Sequence, residues 1–384
     1  MENNLLYWVW LTDICGVYNN DINALLEQFD TVEEIYEAND YSGILNVKPS
    51  TLKKLRDKSL KKAEKIQENC LKIGAEIITF DDIRYPDSLR TIANPPYVLY
   101  MRGEIMKWDR ILGIGVVGTR VCSDYGHKVV DYIVKDLALC GVTVISGMAE
   151  GIDGLSARAA LSAGNKTVAV LGTAIDNPYP WENRHLMQEI MENGTVISEY
   201  PPGAKTRPIS FVWRNRIISG LSKGVLVIEA PKRSGALKTA NFALEQGKDV
   251  FAVPGNIFKK ESEGTNGLLA SGAKAVQSAK DVLDEYVYEI ERLKIKKPAI
   301  ISKIFSKTEK IDNEIKLSID DKRFSGLTDS DKKIISLLIE ENLHIDDIAR
   351  KSEIPMGELT TKLAMLEFSG HIQKIPGNNY KLNI

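Results

Sequence analysis

The sequence predicts a doubly wound, mostly parallel α/β domain over residues 76–286, flanked by an N-terminal helical segment and a C-terminal winged helix. Three observations carry this expectation. Short β-branched runs recur from Glu76 onward: IITF, YVLYM, ILGIGVVG, VTVIS, TVAVL, TVIS, GVLVIEA and DVFAVP. Amphipathic stretches such as SDYGHKVVDYIVKDLALC separate several of them, and strands apolar on both faces with helical crossovers belong to parallel sheets covered on both sides. Glycine turns follow several runs, at Gly118, Gly147 and Gly235, on the edge where open α/β sheets bind ligands.

Residues 1–75 read as short helices, LLYWVWLTDI, DINALLEQF, VEEIYEA and a Lys-rich stretch from Thr51 to Cys70, broken at Gly16, Asn19-Asn20 and Lys48-Pro49. DICGVYNNDINALLEQF and ILNVKPSTLKKL look like two degenerate helix-hairpin-helix elements, with Asn19 replacing a usual glycine. That replacement favours a structural over a DNA-binding role. Residues 287–325, with LKIKKPAIISKIFSKTEK, have few bulky residues in any period and are expected to form a basic linker. Over 326–384, Thr328-Asp-Ser-Asp precedes KKIISLLIE, then come HIDDIARKSE, MGELTTKLAMLEFSG and a hairpin turning at Pro376-Gly377-Asn378-Asn379. This is winged helix-turn-helix spacing, and the polar face of its third helix (Glu358, Thr360, Thr361, Lys362, Glu367) is not basic. Protein contact therefore weighs at least as much as duplex reading there.

The 384 residues exceed one ordinary core, and a net charge of −2 requires any nucleic-acid face to arise from local clustering. The four cysteines form no C-x-x-C pair and never meet histidines at metal-ligand spacing, so a reduced, metal-free, cytoplasmic chain is expected. No apolar run approaches the ~18 residues of a membrane span, and MENNLLYWVW lacks the pattern of a secretion signal.

Gly113-Ile-Gly-Val-Val-Gly118 matches G-x-G-x-x-G, but its glycines lie inside the strand and the next strand ends at Ser146-Gly147 rather than at an acid. Nicotinamide and flavin cofactors are set aside on that ground, and no cofactor is expected. Gly118-Thr119-Arg120 instead offers backbone N–H groups, a hydroxyl and a guanidinium to an oxyanion, with a plain tight turn as the equal alternative. Ser146-Gly147 repeats the arrangement, and Ser234-Gly235 with Lys238 and Thr239 repeats it again after GVLVIEA. Asp153 reads as a helix cap before a general base. From Arg207 to Lys238 seven cations face the single acid Glu229, and Phe211 and Trp213 interleave with Arg214-Asn215-Arg216. Stacking surface beside phosphate-pairing cations is what single-stranded nucleic-acid binders use.

Tyr85-Pro86 with Leu89, Asn94-Pro95-Pro96, VVGTR, SGMAEGID, AVLGTAID with Tyr179-Pro180, SEYPPG, RNRIISGL, EAPKRSGALKTA and FAVPGN together resemble the DNA processing protein A family, DprA or Smf. The resemblance runs in order through the central domain, and the flanking units agree with the long form of the family. It implies an extended Rossmann-like domain that binds single-stranded DNA without catalysis, dimerises, and helps load the recombinase RecA during natural transformation. Carried over by position, Gly118, Thr119, Arg120, Ser146, Gly147, Trp181, Phe211, Arg214, Asn215, Arg216, Ser234, Gly235, Lys238 and Thr239 would line the DNA track. The chain departs from the family pattern at Ala157 and Val212, where His and Pro are common, and at Trp181, where relatives sometimes carry a basic residue. Two other readings remain open: a nucleotide-processing or nucleotide-sensing enzyme drawing on Asp153, Asp176, Glu199 or Glu229, and a duplex-reading regulator acting through the winged helix.

Overall fold

The computed structural model describes residues 2–17, 20–41, 43–293, 326–340, 342–375 and 378–383. It divides into two compact units, 1–301 and 302–384. The first holds a nine-stranded sheet: β1 (Glu76–Thr79), β2 (Val98–Gly103), β3 (Gly113–Val117), β4 (Thr143–Ser146), β5 (Thr167–Ala174), β6 (Gly194–Tyr200), β7 (Gly224–Val227), β8 (Asp249–Ala252) and β9 (Lys274–Ala275). Their spatial order is β1-β2-β6-β5-β4-β3-β7-β8-β9. Strands β3 to β9 pair in parallel, with Gly113 opposite Thr143 and Ile114 opposite Gly224, whereas β1 and β2 join antiparallel beyond β6. All residues of β3, β4, β5, β6 and β7 are buried, as a sheet covered on both faces requires. The eight strand runs read from the sequence are present; the two-residue β9 was too short to be signalled by any period.

The chain leaves β3 toward β4, returns from β6 to β7 on the other side of β3, and so makes its switch point between β3 and β7. The loops after β3, β4, β5, β6 and β7 lie along one edge of the sheet, those after β3 and β7 flanking the switch point. Gly118 is required by packing: a Cβ would stand 2.5 Å from Ile152 Cγ1. Gly151, with φ of 70°, passes so close to the next turn that a Cβ would lie 2.3 Å from the Thr119 carbonyl oxygen.

The N-terminal helices form as expected, beginning with Glu2–Cys15 and ending with Lys61–Lys72. Their apolar faces do not close on themselves. Trp8, Leu11 and Leu25 belong to one buried cluster with Tyr97, Tyr100 and Val196 of the sheet side. The Trp8 ring stacks on Tyr97 at 5.4 Å, and its Nε1 donates to Asp81 at 2.6 Å. Asn19 lies outside the described residues. The expectation of a linker starting at residue 287 needs correction: Val287–Arg292 is a helix, with Ile290 buried and Glu289 4.0 Å from Lys223. Sequence periodicity missed it because one buried residue in six gives no pattern. Residues 294–325, the rest of that segment, lie outside the described residues.

The second unit has helices Asp329–Glu340, Ile345–Ser352 and Met356–Phe368 and a three-stranded sheet of Leu343–His344, Asn379–Leu382 and Ile372–Ile375. Thr328 and Asp331 cap the first helix reciprocally, the Thr328 N–H reaching Asp331 Oδ2 at 3.2 Å and the Asp331 N–H reaching Thr328 Oγ1 at 3.4 Å. Ile335, Leu359, Leu363 and Tyr380 fill its core. Pro376 and Gly377 of the expected turn lie outside the described residues.

Because the helical segment and the sheet share a core, Trp8→Ala is expected to cost about 3 to 5 kcal/mol of the first unit's stability, read by urea unfolding. A loss below about 1 kcal/mol, within ordinary surface effects, would show that the helices are dispensable to the sheet.

Candidate nucleic-acid interface

The helix Pro208–Leu221 packs on the sheet over β5, β4 and β3, from Gly172 to Gly113, and carries the Arg-Asn-Arg triplet inward. Arg214 is 4 % exposed. Its Nη1 donates to the Gly147 carbonyl at 2.8 Å and also to the Val170 carbonyl, and its Nε donates to Asn215 Oδ1 at 3.1 Å. Burial pulls its guanidinium down to about 10, opposed by the carboxylate of Asp153. Asp153 in turn accepts from the Gly147 N–H at 3.2 Å; burial raises its pKa, and Arg214 works against that rise. Gly147 has to be glycine, since a Cβ would sit 2.4 Å from Arg214 Nη2 and 2.5 Å from Asp153 Oδ2.

Arg216, 3 % exposed, forms a buried ion pair with Glu199 at 2.6 Å, donates to the Asn94 carbonyl at 2.9 Å, and lies 4.7 Å from the Trp213 ring centre. Asn215 is buried and donates to the Gly235 carbonyl at 3.3 Å. The triplet therefore braces the carboxyl edge from inside, whereas the sequence reading expects it to line a DNA track. A guanidinium near the middle of a helix that covers a sheet has no route to solvent, so it takes carbonyls and carboxylates as partners.

The expected anion turns are also engaged from within. Ser146 is 1 % exposed and its hydroxyl donates to the Val116 carbonyl at 2.7 Å. Thr119 is buried, with its N–H on the Glu229 carbonyl at 2.8 Å, and Thr239 is buried. The Gly147 N–H, which would cradle a phosphate, is held by Asp153. At the switch point Glu229 accepts from the Ser123 N–H at 3.0 Å and from the Ser123 hydroxyl, at the N-terminus of the helix beginning Asp124–Val129. That is where a nucleotide phosphate would sit in a dinucleotide-binding sheet, and a carboxylate of the chain occupies it. Asp153 is the second residue of the helix Ile152–Ser162 and makes no capping bond, so the capping role expected of it gives way to the bond with the Gly147 turn.

What remains at the surface is a rim around this braced centre. Arg120 is exposed, with its guanidinium 5.6 Å from the centre of the Phe211 ring, and it forms no ion pair among the described residues. Phe211 is half-buried, lies against Gly172 and is 4.9 Å from the Tyr179 ring. Trp181 is 62 % exposed over the guanidinium of Arg184 at 5.4 Å. On the other side, Ser234 caps the helix Gly235–Glu245 through the Ala236 N–H at 3.2 Å, and Gly235 and Lys238 are exposed. Gly118 is half-buried behind Arg120. Sequence reasoning overlooked Tyr179 and Arg184; the run Tyr179-Pro-Trp181-Glu-Asn-Arg184, with two aromatics and a cation, was the available signal. The two family departures that are not part of the rim are Ala157, buried, and Val212, on the exposed side of the Pro208–Leu221 helix.

Since Asp153 and Arg214 offset one another, Arg120 is the uncompensated charge beside them. Arg214→Ala would leave the Asp153 carboxylate buried alone, and Arg216→Ala would do the same to Glu199. Each is expected to lower stability by about 3 to 5 kcal/mol in urea titration, whereas Arg120→Ala should change it by under about 0.5 kcal/mol.

The family model for the DNA recombination-mediator protein A matches residues 76–287, and that for the DprA winged helix domain matches residues 325–378. A protein Smf from Synechocystis is 31 % identical over 402 aligned residues, covering 98 % of both chains. The X-ray structure of DNA processing protein A from Streptococcus pneumoniae superposes with a TM-score of 0.65 at 34 % identity, covering 73 % of this chain and 97 % of that one. A Helicobacter pylori DNA processing protein A, whose structure is described in terms of its single-stranded DNA binding mode, superposes at 0.51 with 29 % identity, covering 56 % of this chain and 97 % of that one. On these matches, which span the sheet and the winged helix alike, the chain belongs to the DNA recombination-mediator protein A family.

Proposed function

We propose that this protein binds single-stranded DNA along the rim of the sheet's carboxyl edge, without catalysis, and delivers it to the recombinase RecA during transformation and recombination. The observation that carries the reading is the exposed Arg120 beside Phe211 and Tyr179, an uncompensated cation against a stacking surface. Repeated cation and ring pairs along an edge suit a polymer better than one cofactor, and the crevice of a small ligand is filled by Glu229 and Asp153. The DNA-contacting set in this reading is Arg120, Tyr179, Trp181, Arg184, Phe211, Gly235 and Lys238, with Arg214, Asn215 and Arg216 supporting it from below. The family also supports a cytoplasmic homodimer formed through the sheet domain. In the same division of labour, residues 1–75 brace the sheet, 76–286 hold DNA, and the winged helix over 326–384 takes a protein partner. Its third helix exposes Met365 and Phe368, while Lys362 is paired with Asp331 at 3.1 Å, an apolar rather than basic face.

The enzyme reading has less behind it. Asp153, Glu199 and Glu229 are tied to Gly147, Arg216 and Ser123, and Asp176 accepts from the Gly203 N–H at 3.0 Å. Product formed from nucleoside phosphates by the purified protein would reverse this judgement.

Affinity for a poly-dT oligonucleotide is expected to fall with salt at a log–log slope of about −0.7 per phosphate neutralised. Phe211→Ala should remove about 1 to 3 kcal/mol of stacking per base, and Arg120→Ala or Lys238→Ala should weaken all sequences alike. Binding that ignores salt, or that survives all three substitutions, would sink the rim. In a reconstituted strand-exchange reaction the wild-type chain should accelerate RecA assembly on covered single strands, and Phe211→Ala should not.

A further inference from the structure

A second concave surface lies on the opposite, amino edge of the sheet, where β3, β7 and β8 begin. It is a cavity of about 670 Å³ between the Trp108 turn, the end of the Pro208–Leu221 helix and the Val287–Arg292 helix. Its size falls in the range of small-molecule sites and far exceeds a packing defect.

The walls are electrostatically one-sided. Every acid lining it is already matched: Glu76 by Arg84 at 2.6 Å, Asp87 by Arg90 at 3.1 Å and Asp109 by Arg110 at 3.8 Å. Lys223 is drawn to Glu289 at 4.0 Å and stands at the carbonyl end of the Pro208–Leu221 helix. Lys107, Lys248 and Arg292 form no ion pair among the described residues. Burial, and after it the nearby charge of Lys223, pull the ammonium of Lys248 below its usual range, and the neighbouring carboxylate of Asp249 only partly offsets them. Trp108 adds a flat apolar wall and an orphan donor, since its Nε1 is buried with no hydrogen-bond partner. Orphan buried donors are uncommon in native folds and call for a reason. Ile105 and Met106 extend the apolar wall.

We propose that this cavity binds a small organic phosphate with a flat or apolar body, of about the size of a nucleoside monophosphate. Lys248 and Lys107 hold the phosphate, Arg292 closes its other side, and the body lies on Trp108 with a polar atom accepting from Nε1. An inorganic anion would leave most of the volume and the indole donor unused, and a neutral nucleoside would leave the cations uncompensated. The site is separate from the DNA rim, because the two lie at opposite ends of the same parallel strands.

The test is calorimetric titration of the full chain with adenosine monophosphate, adenosine, inorganic phosphate and a poly-dT oligonucleotide. The monophosphate should bind more tightly than adenosine or phosphate alone. Lys248→Gln should weaken it at least about tenfold, the loss expected of one charge-assisted contact. Trp108→Phe, which keeps the ring and removes the donor, should weaken it several-fold. Both variants should keep the wild-type thermal midpoint and oligonucleotide affinity. No binding of the monophosphate, binding unchanged in both variants, or binding abolished by Arg120→Ala, which would place it on the DNA rim, would each overturn the proposal.

Discussion

The carboxyl edge of this sheet is organised by a single buried guanidinium. Arg214 spans the Gly147 carbonyl, just past the end of β4, and the Val170 carbonyl in the middle of β5, and offsets the Asp153 carboxylate that holds the Gly147 N–H. Taking a guanidinium and a carboxylate out of water costs several kcal/mol per ion, recovered only if each lone pair and N–H finds a partner. Those demands fix the Gly147 turn, the start of the Ile152–Ser162 helix and the depth of the Pro208–Leu221 helix together. Phe211, three residues before Arg214, is placed by that depth, and so is its distance from Arg120.

A doubly wound sheet ordinarily leaves its switch-point amides open to a phosphate. Here Glu229 at Ser123 and Asp153 at Gly147 answer the amides from within. The edge is thereby closed to a mononucleotide in the crevice, while its cations and rings stand outward on the rim. In the proposed reading recognition moves from a point to a line, which is the geometry a flexible polyanion needs.

The layered fold was legible because its signal is local and repeated: β-branched runs buried on both faces, glycine turns after them, and a reciprocal Thr328–Asp331 cap in the winged helix. The site was legible only in part. Arg120, Phe211, Trp181 and Lys238 were recognised as surface chemistry, but Arg214 and Arg216, with the same residue type a few positions away, are interior braces. Charge density along a sequence does not say how much of a helix is covered, and the triplet lies in the half of this helix, Arg214 to Leu221, that is buried on every side. Glu199 and Asp153, the carboxylates that decide this, sit 17 residues before Arg216 and on a separate strand–helix turn, beyond reach of any local pattern. The core shared by the N-terminal helices and the sheet was hidden for the same reason, since Trp8 and Tyr97 meet only in three dimensions.

The central claim is that DNA lies on the outer rim of the carboxyl edge while the Arg214 brace stays internal. Hydrogen exchange of the full chain with and without a poly-dT oligonucleotide reads this directly. Protection on binding is expected in residues 119–121, 179–184, 207–212 and 233–238. Protection confined to the amino edge around residues 105–111 and 221–223, or to the winged helix, would contradict it.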